Sequence, residues 1–186
     1  MKKTLSILVI LCAILGVTYK VNAQAPYQHS IGVTLGNMQA FSYKTFVTNH
    51  FAIQVDLGTK ILCTDGEDFR GLDAWDLELN PNFMYEGNFT AGLYGFVGGG
   101  VSLGYSWDVW APGYYYVHNW DAGKFGINAM LGLEYKLNIP LTLQFDFRPG
   151  YGLWFGEDYV DWTGHRRSNT CSYFDWGVNL GVRYAF

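Results

Sequence analysis

The chain ends in the stretch GVNLGVRYAF, residues 177–186, in which every second residue counted back from Phe186 is apolar. The alternation continues upstream through Trp176 and Phe174, while the residues between are small, polar or charged. A period of two residues is that of a β-strand whose two faces meet different environments. The stretch therefore predicts a terminal strand, and whether its apolar face meets protein or lipid decides the class of fold.

The first residues, MKKTLSILVILCAILGVTYKVNA (1–23), have the three parts of a secretory signal peptide. Lys2 and Lys3 precede an apolar run over 5–17, and small residues end the segment. The apolar run is well short of the roughly 20 residues that a membrane-spanning helix needs. We therefore expect cleavage after residue 23, export of the mature chain, and a single domain over 24–186.

Composition favours an all-β chain, and net charge argues against a nucleic-acid partner. The 186 residues include 23 Gly, 14 Tyr, 13 Phe and 7 Trp, without a second long apolar run, which favours an all-β chain. Loss of Lys2, Lys3 and Lys20 with the signal peptide leaves nine basic against sixteen acidic side chains. A chain this acidic lacks the basic surface that tracks phosphates, so we expect no nucleic-acid partner.

The alternation of the terminal stretch recurs along the mature chain. Besides the terminal stretch, it predicts strands near 28–37, 40–47, 51–62, 74–86, 90–107, 123–137 and 139–155. No Asp, Glu, Lys or Arg occupies the apolar faces of these strands. The opposite faces carry Lys44, Asp56, Lys60, Asp76, Glu78, Glu134, Lys136, Asp146, Arg148, Asp175 and Arg183.

Such a pattern suits either a soluble sandwich with an apolar core or a membrane barrel with a polar interior. The predicted strands are long, their apolar faces end in aromatic residues, and their polar faces are rich in glycine. Connections also alternate between short (37–39, 48–50, 87–89, 138) and long (63–73, 108–122, 156–170). These features predict an all-β, eight-stranded antiparallel up-and-down transmembrane β-barrel. Pro81 and Pro149 lie within predicted strands, and we expect a β-bulge at each.

The tail resembles the carboxy-terminal signal by which outer-membrane barrels are recognised for insertion. Its signal positions are Val178, Leu180, Val182, Tyr184 and Phe186. Together with FSYKTFVTNHFAIQVDLG (41–58) and GLEYKLNIPLTLQFDFRPGY (132–151), it makes the chain similar to small OmpX/OmpA-like barrels, and more closely to a Bacteroidetes porin-family branch. The resemblance implies a location in the outer membrane, contact with its lipid and lipopolysaccharide, and insertion by the barrel-assembly machinery. It does not imply an activity.

The inward charges bear on whether the barrel conducts. An eight-stranded barrel has an interior just wide enough for side chains. Six acids and five bases point inward in the predicted strands, so we expect them to pair and to fill the interior. A narrow porin-like channel for small solutes is the alternative, because the inward glycines at 98–100 leave room for water.

No residue is assigned a catalytic role, and no cofactor or metal is predicted. The glycine run at 95–104 lacks the following helix of a phosphate-binding loop, since the strand pattern continues through it. A lipid A-modifying barrel enzyme is a weaker alternative, since outer-membrane deacylases use a His-x-Ser pair. His165 and Ser168 are one residue too far apart for that motif and would point to opposite faces of a strand.

The long connections are the predicted sites of surface contact. The middle one carries Trp110, Tyr114, Tyr115, Tyr116 and Trp120, which predict a contact surface for an unknown extracellular ligand or extend the aromatic girdle. Nine acids in the three long connections could hold divalent ions against lipopolysaccharide phosphates. Cys63 and Cys171 could form a disulfide, although they lie on non-adjacent strands. We expect a monomer with an envelope-structural or surface-interaction role.

Overall fold

The structure is a computed structural model that describes residues 25–60, 75–109, 120–156 and 170–186, with two further short strands. The long strands are β1 (His29–Gly36), β2 (Met38–Phe46), β3 (Phe51–Lys60), β4 (Trp75–Thr90), β5 (Leu93–Val109), β6 (Trp120–Lys136), β7 (Leu141–Gly156) and β10 (Thr170–Ala185). β8 (Tyr159–Val160) and β9 (Arg166–Arg167) form a separate two-stranded sheet. Within the described residues, no helix is long and apolar enough to cross a membrane.

The eight long strands close into a barrel in the order β1-β10-β7-β6-β5-β4-β3-β2, with every pair antiparallel. Closure is made by β1 and β10, which pair from Ser30 opposite Ala185 to Gly36 opposite Asn179. The backbone of His29 also exchanges hydrogen bonds of 2.9 and 2.8 Å with that of Phe186. The predicted all-β, eight-stranded antiparallel up-and-down barrel is confirmed.

The barrel has two different ends. The start of β1, the end of β10 and the turns at 47–50, 91–92 and 137–140 lie at what we call the terminal end. The opposite end, the loop end, has the tight turn at Asn37 and the connections 61–74, 110–119 and 157–169. The predicted signal peptide, residues 1–23, lies outside the described residues.

The two-residue alternation divides the wall into an inward and an outward face. On β10, Asp175, Asn179 and Arg183 are buried inside the barrel, whereas Leu180 and Val182 between them are exposed. The same order holds on β2, β3, β6 and β7, where buried and exposed residues alternate along the strand. The polar residues are therefore the ones removed from solvent, which is the reverse of a soluble domain.

One predicted turn was misplaced. The sequence predicts a short connection at 87–89, but β4 continues to Thr90 and the turn lies at Ala91–Gly92. Gly92 has a φ of +80°, a backbone conformation that side chains other than glycine rarely adopt. The glycine that makes the turn is thus Gly92, while Gly87 pairs with Gly95 within the ladder.

The predicted β-bulges at Pro81 and Pro149 are wrong. Pro81 pairs with Val55 and Pro149 pairs with Trp176, and the register is the same on both sides of each proline. Each residue of a strand donates its N–H to one neighbouring strand only, so a proline removes a single bond without requiring an inserted residue. The register shifts in the described strands lie elsewhere, between Asn88 and Thr90 and between Ser106 and Val109.

Candidate functional site: the charged barrel interior

The inward faces carry charged side chains in three groups, stacked from the terminal end to the loop end. The terminal cluster comprises Tyr27, Lys44, Glu86, Glu134 and Arg183; the middle cluster comprises Asp56, Asp146 and Arg148; the loop-end cluster comprises Lys60, Asp76, Glu78, Lys124 and Asp175.

Lys44 is the centre of the terminal cluster. Its side chain is 0% exposed, and its ammonium lies 2.6 Å from Glu134 Oε2 and contacts Glu86 as well. The same ammonium lies 5.0 Å from the ring centroid of Phe46 and 5.6 Å from that of Phe96. Two carboxylates and three ring faces, the third that of Tyr27, thus replace the water that this cation loses on burial.

Tyr27, which precedes β1 in the chain, completes the terminal cluster. Its hydroxyl donates to Glu134 Oε1 at 2.6 Å, and its ring packs edge-on against Phe46 with centroids 5.2 Å apart. Burial raises the pKa of the Tyr27 hydroxyl, so this group stays protonated and can donate. The Tyr27 side chain, just before the first strand, therefore contributes to the barrel interior.

Arg183 connects the terminal cluster to the neighbouring polar side chains. Its Nη1 lies 3.7 Å from Glu134 and donates to Gln144 Oε1 at 2.7 Å, while its Nε donates to Ser42 at 3.0 Å. Gln144 in turn donates to Asp146 at 2.8 Å. A continuous series of polar contacts thus leads from the terminal cluster to the middle cluster.

The middle cluster is built around Arg148. Its guanidinium donates from Nη1 to Asp56 and from Nε to Asp146, at 2.6 Å each. Gln54 donates to Asp56 at 2.9 Å, so both carboxylates also accept a neutral amide. Charge-assisted bonds with this many partners fix the side chains across the barrel, from β3 to β7.

The loop-end cluster contains two lysines and three carboxylates. The ammonium of Lys124 lies 2.6 Å from Asp76 and also contacts Glu78. The ammonium of Lys60 contacts Asp175 and lies 3.6 Å from Glu78. Because Lys60 is on β3 and Asp175 on β10, their contact reaches across the interior over the β1–β2 hairpin.

The charged side chains of the described interior are paired with one another. Every cation of the three clusters contacts at least one carboxylate. Met84, Phe96 and Met130 add an apolar group between the charged ones. Among the described residues, no group of His, Cys, Asp and Glu has the arrangement to hold a metal ion. The interior can therefore rigidify the barrel, and its charged groups already have protein partners.

The structure places ten of the eleven residues of the predicted interior network in these clusters. Lys136 is the exception, because its ammonium donates to the carbonyls of Leu137 and Ile139 at the terminal-end turn. Sequence reasoning missed Glu86 and Lys124. Both have the even-numbered parity of the inward residues of their strands, so the alternation contained the signal that would have found them.

The other predicted sites fall partly outside the described residues. The insertion-signal residues Val178, Leu180, Val182, Tyr184 and Phe186 all face outward and are exposed. Of the predicted contact surface, Trp110, Tyr114, Tyr115 and Tyr116 lie outside the described residues, as does the side chain of Trp120 at the start of β6. The same holds for His118, His165, Ser168, Cys63 and the side chain of Cys171.

Comparison with known proteins finds no family model and no curated protein that matches the chain. Among solved structures, the chain is similar to the neisserial surface protein A (NspA), with 13% identity, a TM-score of 0.48, and coverage of 86% of this chain and 96% of that chain. It is also similar to a major outer membrane protein from Thermus thermophilus, with 14% identity, a TM-score of 0.47, and coverage of 85% and 98%. The porin-family branch stays a prediction.

Proposed function

We propose that this chain is an integral outer-membrane barrel with a closed interior, and that its role is structural or a surface interaction made through its long connections. The observation that carries the proposal is the inverted polarity of the wall. Apolar side chains face outward all round the described barrel, while the charged side chains of the three clusters are directed inside. Water would disfavour such a surface, whereas lipid favours it.

The dimensions and edges of the barrel support a membrane location. β5 and β6 each have 17 residues, and a tilted strand needs about 9–11 to cross the hydrocarbon. Closure between β1 and β10 leaves no open sheet edge at their pairing, as hydrocarbon requires. Outward aromatics lie towards both ends: Tyr43, Tyr85, Tyr135, Tyr184 and Phe186 at the terminal end, and Tyr105, Trp107, Phe155, Phe174 and Trp176 towards the loop end.

The loop end is the proposed extracellular end. The three long connections all leave the barrel there, while the chain termini lie at the opposite end. Outer-membrane barrels have longer external loops and short periplasmic turns. The proposed partners are outer-membrane lipid and lipopolysaccharide, the assembly machinery during insertion, and an unknown extracellular ligand bound by the loops; no enzymatic activity is proposed.

A narrow channel is the second candidate. The three clusters hold seven carboxylates and five cations, so the described interior has an excess of negative charge that would favour small cations. The paired geometry favours the closed interior, since each passing ion would have to compete with buried ion pairs.

Cell fractionation and gel mobility test the proposed location and fold together. The chain should be found in the outer-membrane fraction, and the unheated protein should migrate faster than the boiled protein because the closed barrel resists detergent. Protease added to intact cells should cut within 61–74, 110–119 or 157–169 and leave the barrel strands whole. Equal mobility with and without heating, or a soluble protein, would refute the proposal.

A further inference from the structure

One edge of β10 is open towards the loop end. β1 pairs with β10 only as far as Asn179, and just beyond that pair the backbone N–H of Asn37 donates to the carbonyl of Val178 at 3.1 Å. β10 continues to Thr170, and none of the described strands pairs with the β1 side of this further part. We call the β1 side of residues 172–176 the open edge.

The register shows which backbone groups point to the open edge. Val178 and Phe186 both form backbone hydrogen bonds on the β1 side, and β10 keeps a single register with β7 along its whole length. Because alternate residues of a strand direct their backbone groups to opposite sides, Ser172, Phe174 and Trp176 present their N–H and C=O groups to the open edge. The side chains of Phe174 and Trp176 face outward and are exposed. The open edge therefore combines unpaired strand backbone with an apolar outer face.

The height of the open edge favours a bound partner. From Ala185 to Val178, β10 measures about 26 Å, which at a tilt of about 40° corresponds to about 20 Å along the membrane normal. The outward apolar band of outer-membrane barrels is about 25 Å tall. The open edge thus begins within the proposed apolar band, where unpaired backbone groups are strongly disfavoured, and continues above it. A strand that pairs with this edge would satisfy those groups.

A second copy of the chain cannot pair its own open edge with this one. Two barrels with the same end outward are related by a rotation about the membrane normal, so their β10 strands run in the same direction and turn the same edge towards each other. Neighbouring parallel strands are instead related by translation, so that one edge of a strand meets the opposite edge of the next. The matching occupant is therefore an extended segment of a different protein, antiparallel to β10 as β1 is.

The two faces of the wall specify the residues of that segment. Directly opposite residues of paired strands have their side chains on the same face. Residues opposite Phe174 and Trp176 would face outward at the membrane boundary, which favours apolar side chains. A residue opposite Asp175 would face inward, where Oδ1 of this fully buried carboxylate has no hydrogen-bond partner among the described residues. The loop-end cluster has three carboxylates and two ammonium groups, so its charge is complementary to a basic residue at that position.

We propose that the open edge binds an extended segment of another protein as an additional strand, with its apolar residues outward and a basic residue opposite Asp175. Main-chain hydrogen bonds to the edge would supply affinity, and the alternating side chains would supply specificity. This inference rests on the proposed function, because it requires the loop end to be extracellular, and it names the class of partner that the barrel would bind there.

Amide hydrogen exchange of the refolded mature chain in detergent micelles, followed by NMR, tests the site residue by residue. The probe is the acetylated and amidated peptide Val-Lys-Val-Thr-Val, whose valines would lie opposite the outward residues of the open edge. One variant peptide is N-methylated at its valines, which removes the N–H groups that face β10. The matched control is N-methylated at the lysine and the threonine, whose N–H groups face away. A further peptide has glutamate in place of lysine.

Without peptide, the amides of Phe174 and Trp176 should exchange at least tenfold faster than those of Tyr173 and Asp175, which face β7. The probe and the matched control should slow the exchange of Phe174 and Trp176 at least fivefold, and the valine-methylated peptide should not. The glutamate peptide should require at least fivefold higher concentration. Slow exchange at Phe174 and Trp176 before peptide is added would mean that the chain covers its own edge and would overturn the proposal. Equal effects of the two methylated peptides would overturn strand addition, and an equal effect of the glutamate peptide would overturn the basic residue.

A proline in the open edge gives a second test. Phe174→Pro removes one N–H from the open edge and none from the β7 ladder, whereas Phe174→Ala keeps that N–H. The probe should slow exchange at Trp176 in Phe174→Ala but not in Phe174→Pro, and equal slowing in both would overturn the site. Heat-modifiable mobility is measured on the same samples. A folded wild-type barrel that does not respond to the probe refutes this inference alone, whereas absence of the mobility shift in the wild type refutes the proposed function.

Discussion

Replacement of Lys44 by Met tests the energetic role of the terminal cluster. The substitution keeps the length and the apolar stem of a side chain that is 0% exposed but removes the ammonium from Glu86 and Glu134. Removal of one partner from a buried ion pair destabilises proteins by about 3–5 kcal/mol. Glu134 keeps Tyr27 and Arg183 as partners, so the uncompensated charge is mainly that of Glu86. We therefore expect a loss of about 3 kcal/mol, the lower end of that range.

The assay is urea unfolding of the barrel in lipid vesicles, followed by tryptophan fluorescence. Lys136→Met is the matched control, since its ammonium bonds only turn carbonyls and its loss should cost about 1 kcal/mol or less. Adding Glu86→Gln to Lys44→Met should recover part of the lost stability, because it removes the uncompensated charge. A loss below about 1 kcal/mol for Lys44→Met, or no recovery in the double variant, would refute the argument that buried charges hold the interior together.

Three further outcomes follow from the described contacts. Tyr27→Phe removes a hydroxyl that donates to Glu134 and should cost about 1.5 kcal/mol of stability, measured from the same urea transitions. An unchanged midpoint would contradict the role of Tyr27 in the terminal cluster. Gly32→Ala would bring a Cβ into overlap with a backbone carbonyl of β10 and should lower the heat-modifiable fraction after refolding, whereas Gly87→Ala meets nothing within 4 Å and should refold like the wild type. Phe186→Ala should lower the amount of barrel in the outer membrane in cells, and equal amounts would contradict the insertion-signal assignment.

The fold could be predicted from the sequence because a closed barrel imposes a strict rule on every residue of its wall. Odd-numbered and even-numbered residues of β10 face opposite environments, so the apolar residues at 174–186 specify both the strand and its orientation. The same rule identified inward charges such as Lys44 and Arg148. Glu86 and Lys124 lie at the ends of two predicted strands and were not identified, although both have the parity of inward residues.

The contacts within the interior could not be predicted, because they depend on register and stagger between strands. Lys60 and Asp175 are on β3 and β10, which are not neighbours, and their side chains meet across the interior of the barrel. Lys136 has the parity of an inward residue, but it lies so near the turn that carbonyl groups are its partners. The β-bulges predicted at Pro81 and Pro149 were wrong because a proline removes one N–H from the ladder without shifting the register.

Single-channel recording of the refolded mature chain in a planar bilayer tests the closed interior most directly. The paired charges predict a silent bilayer at insertion levels verified by heat-modifiable mobility. They also predict that Arg148→Gln, which leaves Asp56 and Asp146 without their shared cation, produces openings in a barrel that is still folded. Steady openings of the wild-type protein, with a conductance that changes when Asp146 is replaced by Asn, would contradict the closed interior and make transport the function.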